Sequence, residues 1–126
     1  MKQYLVILVS FLALDGLWLG VIMKSFYRKH LGFLFADSFA FVPAGIFYLL
    51  YGFGVWFFVV SPALASGSPA LVLGRGALLG LIVYAAYDLT NQATIARWPV
   101  LVTLTDMAWG AVVTAVVSLI AYLIFR

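Results

Sequence analysis

Three aspartates, Asp15, Asp88 and Asp106, lie inside long apolar stretches of the sequence. An ionisable side chain inside a membrane span costs about 3 kcal/mol on insertion scales, and it usually has a partner or a function. Each of the three is nine positions away from either Lys24 or Arg97. At about 1.5 Å per helical residue, this spacing places every carboxyl group roughly 10–14 Å below the same membrane face. We therefore expect the three groups at one depth in one leaflet.

Polar and aromatic residues recur beside these aspartates at helical spacing. Residues three or four positions apart are neighbours on a helix, and polar faces of membrane helices turn toward the centre of the bundle. The sequence therefore predicts a buried polar site near the cytoplasmic side of the membrane. Its polar cluster consists of Asp15, Asp88, Asn91 and Asp106, its lining of Trp18, Tyr84, Tyr87, Thr103 and Trp109, and its basic rim of Lys24, Arg28 and Arg97.

The charges of this cluster need compensation, because three ionised carboxylates in one apolar site repel one another. Arg75 lies about 20 Å from Asp88 along the helix axis and is too distant, whereas the basic rim is near enough. One interpretation is that the carboxylates only hold the bundle together by accepting hydrogen bonds, each worth about 1 kcal/mol or less. The other interpretation is a site for a ligand, a proton or a cation.

The elements that must position these groups are membrane helices. The 126 residues are 67% hydrophobic and 9% charged, with a mean hydropathy of +1.19. Soluble domains carry about 25% charged residues, so an ordinary water-soluble fold is excluded. We predict an all-α membrane protein with a single integral membrane domain over residues 1–126. Its four transmembrane helices form an up-down bundle at about 4–23, 39–60, 71–94 and 100–124.

Local signals mark the ends of these helices. Asp37 and Ser38 form a helix-start pair before the second helix, and Pro99 is suited to open the fourth. The Pro, Gly and Ser content of residues 61–70 predicts a tight connection. Two glycine pairs with i, i+4 spacing, Gly16 with Gly20 and Gly76 with Gly80, permit close helix packing.

The distribution of Lys and Arg predicts the orientation. Lys24, Arg28, Lys29 and Arg97 lie at one face, and Lys2, Arg75 and Arg126 lie at the other. The first three share one short loop, so we predict a cytoplasmic location for this loop and place both termini on the other side of the membrane. Tyr27, Leu31, Leu34 and Phe35 occupy one face of a short helix in the loop, which predicts a helix lying in the membrane interface. A basic loop that only obeys the positive-inside rule is the alternative.

Composition also excludes several classes of site. Without cysteine there is no disulfide, thiolate metal site, Fe–S cluster or cysteine nucleophile, and a single His does not support a histidine metal site. The net charge of +3 reflects charges that flank the spans, and no basic stripe indicates a nucleic-acid partner. We predict no metal and no cofactor.

Five segments resemble a known family of small bacterial membrane proteins. They are residues 14–20, 47–51, 87–94, 98–99 and 105–110, which read LDGLWLG, FYLLY, YDLTNQAT, WP and TDMAWG. Together they are similar to the domain of unknown function 2177 family over nearly the whole chain. The resemblance implies a four-helix protein of the bacterial inner membrane, and it implies no activity, substrate or cofactor.

Three functional hypotheses follow. The leading one is a non-enzymatic accessory or binding protein whose partners are the lipid bilayer and a protein or larger membrane complex, because no nucleophile-base pair is evident. The second is a membrane-embedded enzyme on a lipid or fatty-acyl substrate, with the aspartates as acid and base or as magnesium ligands beside Thr90, Asn91 and Thr105. The third is a proton or small-solute carrier, which needs a polar path through both leaflets.

Overall fold

A computed structural model describes residues 1–36, 38 and 40–126 of the chain. Within these ranges every regular element is helical, and four helical segments are long and apolar enough to cross a membrane. The predicted all-α membrane fold is therefore confirmed. Asp37 and Phe39, which the sequence places at the start of the second helix, lie outside the described residues.

The four spans are Lys2–Ile22, Phe41–Ser66, Pro69–Thr94 and Val100–Phe125. The first is α1 (Lys2–Leu17) followed by a π-helical segment, Trp18–Ile22. The connection to the second span is a short helix, α2 (Lys24–Leu31), and a 3₁₀ turn, Gly32–Leu34. The second span comprises α3 (Phe41–Val55), a π-helical segment (Trp56–Val60) and α4 (Ser61–Ser66). The third and fourth spans are the uninterrupted helices α5 (Pro69–Thr94) and α6 (Val100–Phe125).

The second span is longer than its sequence predicts. The predicted connection over residues 61–70 is wrong, because the chain stays helical through α4 and only Gly67 and Ser68 separate it from α5. Pro62 breaks an ordinary helix interior, but here it follows the π-helical segment Trp56–Val60 and occupies the first turn of α4, where no N–H is needed. Gly67 then ends the helix with a left-handed φ of +69°, which glycine adopts without strain.

The helices α5 and α6 form the closest pair in the bundle and run antiparallel. A Cβ atom on Gly80 would lie 2.0 Å from the carbonyl oxygen of Gly110, and one on Gly76 would lie 3.0 Å from the Cα of Ala115. Only glycine leaves room for this approach of the two backbones. The predicted role of Gly76 and Gly80 in close helix packing is therefore confirmed.

The helix α1 lies between α3 and α6 and is antiparallel to both. Near its start, Trp56 Nε1 donates a hydrogen bond of 2.7 Å to Gln3 Oε1. Its glycine pair behaves differently from that of α5, because a Cβ on Gly16 or Gly20 would meet nothing within 4 Å. This pair lies at the outer surface of the described bundle.

The helix α2 lies at one end of the bundle, and its location in a membrane interface stays a prediction. Its buried Tyr27 and Leu31 pack against Trp98 and Val102, where α6 begins. We call this end, with α2 and the α5–α6 connection, the α2 face, and the other end the opposite face. Leu34 lies beyond the end of α2 and is 44% exposed, so the apolar face of the helix stops at Leu31.

Candidate functional site

Each oxygen of the Asp15 carboxylate accepts a hydrogen bond. Tyr48 Oη donates to its Oδ2 at 2.5 Å, and Trp109 Nε1 donates to its Oδ1 at 2.8 Å. The two donors come from α3 and α6, and the carboxylate lies on α1 and is buried. Asp15 therefore ties three of the four spans together at this depth, and each of its oxygens has a donor.

Asp106 is connected to α2. Tyr27 Oη donates to Asp106 Oδ1, and Trp18 Nε1 donates to Tyr27 Oη at 3.1 Å. Burial raises the pKa of the Tyr27 hydroxyl far above its ordinary value of 10.0, and the hydrogen bond to Asp106 raises the pKa further. The phenol is therefore neutral at physiological pH and keeps its proton for donation to Asp106.

The two tryptophans of the Asp-x-x-Trp pairs stack on each other. The ring centroids of Trp18 and Trp109 are 4.2 Å apart and the ring planes differ by 3°. Each indole N–H also donates a hydrogen bond, from Trp18 to Tyr27 and from Trp109 to Asp15. The stack thus joins the Asp15 hydrogen bonds to the Asp106 hydrogen bonds across the interface of α1 and α6.

Asp88 differs from both other aspartates, because it is 0% exposed and neither of its carboxyl oxygens has a hydrogen-bond donor. Its carboxyl group lies beside that of Asp106, within reach of a hydrogen bond if one of the two holds a proton. Two ionised carboxylates at this separation repel each other strongly in apolar surroundings, and neither can donate to the other. A proton or another positive charge between Asp88 and Asp106 would remove this repulsion.

Tyrosines enclose the remaining side of the site. The ring of Tyr84 lies against Gly110, where an added Cβ would be 2.3 Å from the ring. Tyr51 Oη is 2.7 Å from Thr114 Oγ1. These groups separate the carboxyl pair from the opposite half of the bundle.

Several of the predicted site residues have other partners. Tyr87 is 58% exposed and packs edge-on against Trp98 at 5.8 Å between ring centroids, and Asn91 lies one turn further along α5. Thr103 Oγ1 accepts a hydrogen bond of 3.1 Å from Trp98 Nε1. Asn91, Tyr87 and Thr103 thus build the α2 face around Trp98, outside the carboxyl pair.

The predicted basic rim lies at the α2 face, and within the described part of the chain its side chains donate no hydrogen bond to Asp15, Asp88 or Asp106. Asp15 and Asp106 accept theirs from tyrosine and tryptophan. The guanidinium carbon of Arg97 lies 4.2 Å from the ring centroid of Phe33, in a cation–π contact. The donors that the structure places on Asp15 and Asp106 are therefore neutral side chains, and charge compensation by the rim stays a prediction.

Two donors in the site, Tyr27 and Tyr48, are absent from the predicted lining. Each belongs to a pattern visible in the sequence: Tyr27 is on the apolar face of the short helix, and Tyr48 precedes Tyr51 at i, i+3 spacing. Both patterns have an ordinary packing explanation, and only the rotation of the helices shows that each hydroxyl points at a carboxylate.

The donor set does not resemble that of a metal centre. Within the described ranges, no three His, Cys, Asp or Glu side chains come together as metal ligands do. The site instead offers one pair of carboxyl groups, which can hold a proton or one small cationic group.

Comparison with known proteins identifies the family. Residues 1–123 match the family DUF2177, described as a predicted membrane protein. The chain therefore belongs to this family, in agreement with the resemblance of its sequence motifs. No curated protein and no solved structure matches the chain.

Proposed function

We propose that this protein is a non-enzymatic accessory protein of the bacterial inner membrane whose Asp88–Asp106 pair binds a proton. The observation that supports the proposal is the complete burial of Asp88 without a hydrogen-bond donor to either oxygen. A single proton removes both penalties, because it supplies the missing donor and abolishes the repulsion between the two carboxylates. Asp15 needs no proton, since each of its oxygens already accepts a hydrogen bond.

The proton site is coupled to the membrane surface through Tyr27. This residue lies on α2 and donates to Asp106, the partner of Asp88. A second negative charge at the pair would change the strength of that hydrogen bond and with it the attachment of α2. The occupancy of the site can therefore be read at α2 by a partner subunit, which is the role we assign to an accessory protein.

Infrared difference spectroscopy tests the proton site directly. Protein purified in detergent or in nanodiscs is titrated, and the carbonyl stretch of protonated carboxyl groups is followed. We expect a protonated carboxyl in the wild type at neutral pH and its loss in Asp88→Asn. Asp15→Asn is the matched control and should retain the band. The proposal is wrong if the wild type shows no such band at neutral pH, or if Asp88→Asn and Asp106→Asn both leave it unchanged.

The non-enzymatic part of the proposal has a separate test. Purified wild type and Asp88→Asn are incubated with a total bacterial lipid extract, and the lipids are compared by mass spectrometry before and after incubation. We expect no conversion by either protein. Conversion by the wild type that Asp88→Asn abolishes would instead establish an enzyme that uses the carboxyl pair as acid and base.

The orientation belongs to the same proposal, with the α2 face in the cytoplasm and the opposite face in the periplasm. Its basis is the gathering of Lys24, Arg28 and Lys29 on α2. The chain has no cysteine, so a single introduced one reports on one face. We expect a membrane-impermeant maleimide to label Ser66→Cys in intact spheroplasts and to label Ser25→Cys only after lysis. The reverse pattern would invert the orientation.

A further inference from the structure

The α2 face carries a compact group of positive charges. Lys24, Arg28 and Lys29 are exposed on the outer side of α2, opposite the buried Tyr27. Arg97, from the α5–α6 connection, joins them through its contact with Phe33 just after α2. The connection is held there because Ile95 and Trp98, on either side of Arg97, pack in the same apolar cluster as Tyr27 and Leu31.

Apolar side chains lie next to these charges at the same surface. Phe33, Leu34 and Phe35 follow α2 directly and are 46%, 44% and 52% exposed. Cations beside exposed aromatic and aliphatic groups are the arrangement found in segments that lie between lipid headgroups and acyl chains. Asp15 and Asp88, in contrast, are buried inside the bundle, so their charges do not face this surface.

An apolar groove adjoins the same region. It is shallow and widely open to the outside of the bundle, and it is lined by Trp18, Leu104, Thr105, Ala108, Trp109 and Val112. Trp18 connects the groove to α2, because its indole N–H donates to Tyr27. From Leu104 to Val112 the groove runs about 12 Å along α6, away from the α2 face. Its direction and lining suit part of an acyl chain.

From these features we propose that the α2 face binds an anionic phospholipid, with its headgroup on Lys24, Arg28, Lys29 and Arg97 and one acyl chain in the groove beside Trp18. The charge of the surface selects an anionic headgroup over a zwitterionic one. The groove selects a lipid over a free phosphate ion, because an ion has no acyl chain to bury. This binding is tested separately from the Asp88–Asp106 proton, because the lipid would contact the surface of the bundle whereas Asp88 is buried inside it.

The test uses vesicles of phosphatidylcholine and phosphatidylglycerol as the probe. The full chain is reconstituted, extracted with a mild detergent, and its retained lipids are quantified by mass spectrometry. We expect the wild type to be enriched in phosphatidylglycerol relative to the bulk vesicle. Each cation removed from a surface of this kind lowers the affinity for anionic lipid by about fivefold, and salt weakens the binding further.

Two triple variants with the same net charge distinguish an effect of the α2-face cations on lipid binding from an effect of the net charge of the protein. The triple variant Lys24→Gln, Arg28→Gln and Lys29→Gln should lose the enrichment. The triple variant Lys2→Gln, Arg75→Gln and Arg126→Gln removes the same charge at the opposite face and should keep it. Equal loss in both variants, or no enrichment in the wild type, would overturn the proposal.

The groove is tested with a matched pair of substitutions. Ala108→Trp fills the groove, whereas Ala86→Trp adds the same bulk at an exposed position of α5. We expect only Ala108→Trp to reduce the amount of retained phosphatidylglycerol. Equal retention in the two variants would show that the acyl chain does not lie in this groove. The carboxyl infrared band, which reports folding and the proton site, should be unchanged in all four variants.

Discussion

Asp15 and Asp88 have the same side chain and opposite hydrogen-bonding environments. Asp15 accepts hydrogen bonds from Tyr48 and Trp109, whereas the oxygens of Asp88 have no hydrogen-bond donor and lie beside the carboxyl group of Asp106. We expect Asp15→Asn to lower the free energy of unfolding by about 1–3 kcal/mol, because its amide NH₂ faces a donor. Asp88→Asn should leave stability unchanged or raise it, since the amide N–H can donate to Asp106. Thermal unfolding in detergent measures both, and a larger loss for Asp88→Asn would contradict this assignment.

Tyr27 gives a second prediction at the level of single residues, because its pKa in the folded protein lies above the ordinary value of 10.0. Below pH 10 both the folded and the unfolded states keep the proton, so the stabilisation is fully present. As the pH rises above 10 the unfolded state releases the proton first, and stability falls. In a spectrophotometric titration of the folded protein, Tyr27→Phe should therefore not reduce the phenolate that forms near pH 10. Loss of one phenolate there would show that Tyr27 titrates normally.

The packing of α5 against α6 depends on glycine at a few positions. A Cβ at Gly80 would lie 2.0 Å from a backbone oxygen of α6, whereas a Cβ at Gly16 would meet nothing within 4 Å. We expect Gly80→Ala to lower the free energy of unfolding by about 1–3 kcal/mol, because the helices must move apart. Gly16→Ala is the control and should be neutral or stabilising by up to about 1 kcal/mol. Equal effects of the two substitutions on thermal unfolding would show that the close approach contributes nothing.

The positions of the helices can be predicted from the sequence more completely than the contacts between them. Long apolar runs are diagnostic of membrane spans, and nine-residue spacing around Arg97 places Asp88 and Asp106 at one depth on consecutive helices. The hydrogen bond from Tyr27 to Asp106, 79 residues away in the sequence, depends on helix rotation, which hydropathy does not encode. The end of the second span differs from the prediction because Pro62 is typical of a connection, whereas here it follows a π-helical segment and the chain stays helical.

Across the whole molecule, the two halves of the bundle have different polar contents. The half nearer the α2 face contains the three carboxyl groups, and the half nearer the opposite face contains only neutral hydroxyls among its buried polar groups in the described chain. On α6 these hydroxyls belong to Thr114, Ser118 and Tyr122, which follow one another at four-residue spacing, and Tyr51 on α3 adds its hydroxyl beside Thr114. A carrier would have to move protons along this row, whereas a binding protein needs no such path.

The geometry of the hydroxyl row predicts that protons do not cross the protein. Successive hydroxyls on α6 are separated by about 6 Å along the axis, about twice the length of a hydrogen bond, and Val113 and Val117 are fully buried between the turns. Ser118 Oγ has no hydrogen-bond partner, so the row is interrupted at its centre. In vesicles loaded with a fluorescent pH indicator, we expect reconstituted protein to dissipate a pH gradient no faster than protein-free vesicles, with gramicidin as the positive control. A faster decay that Asp106→Asn abolishes would establish a carrier that uses the same carboxyl pair.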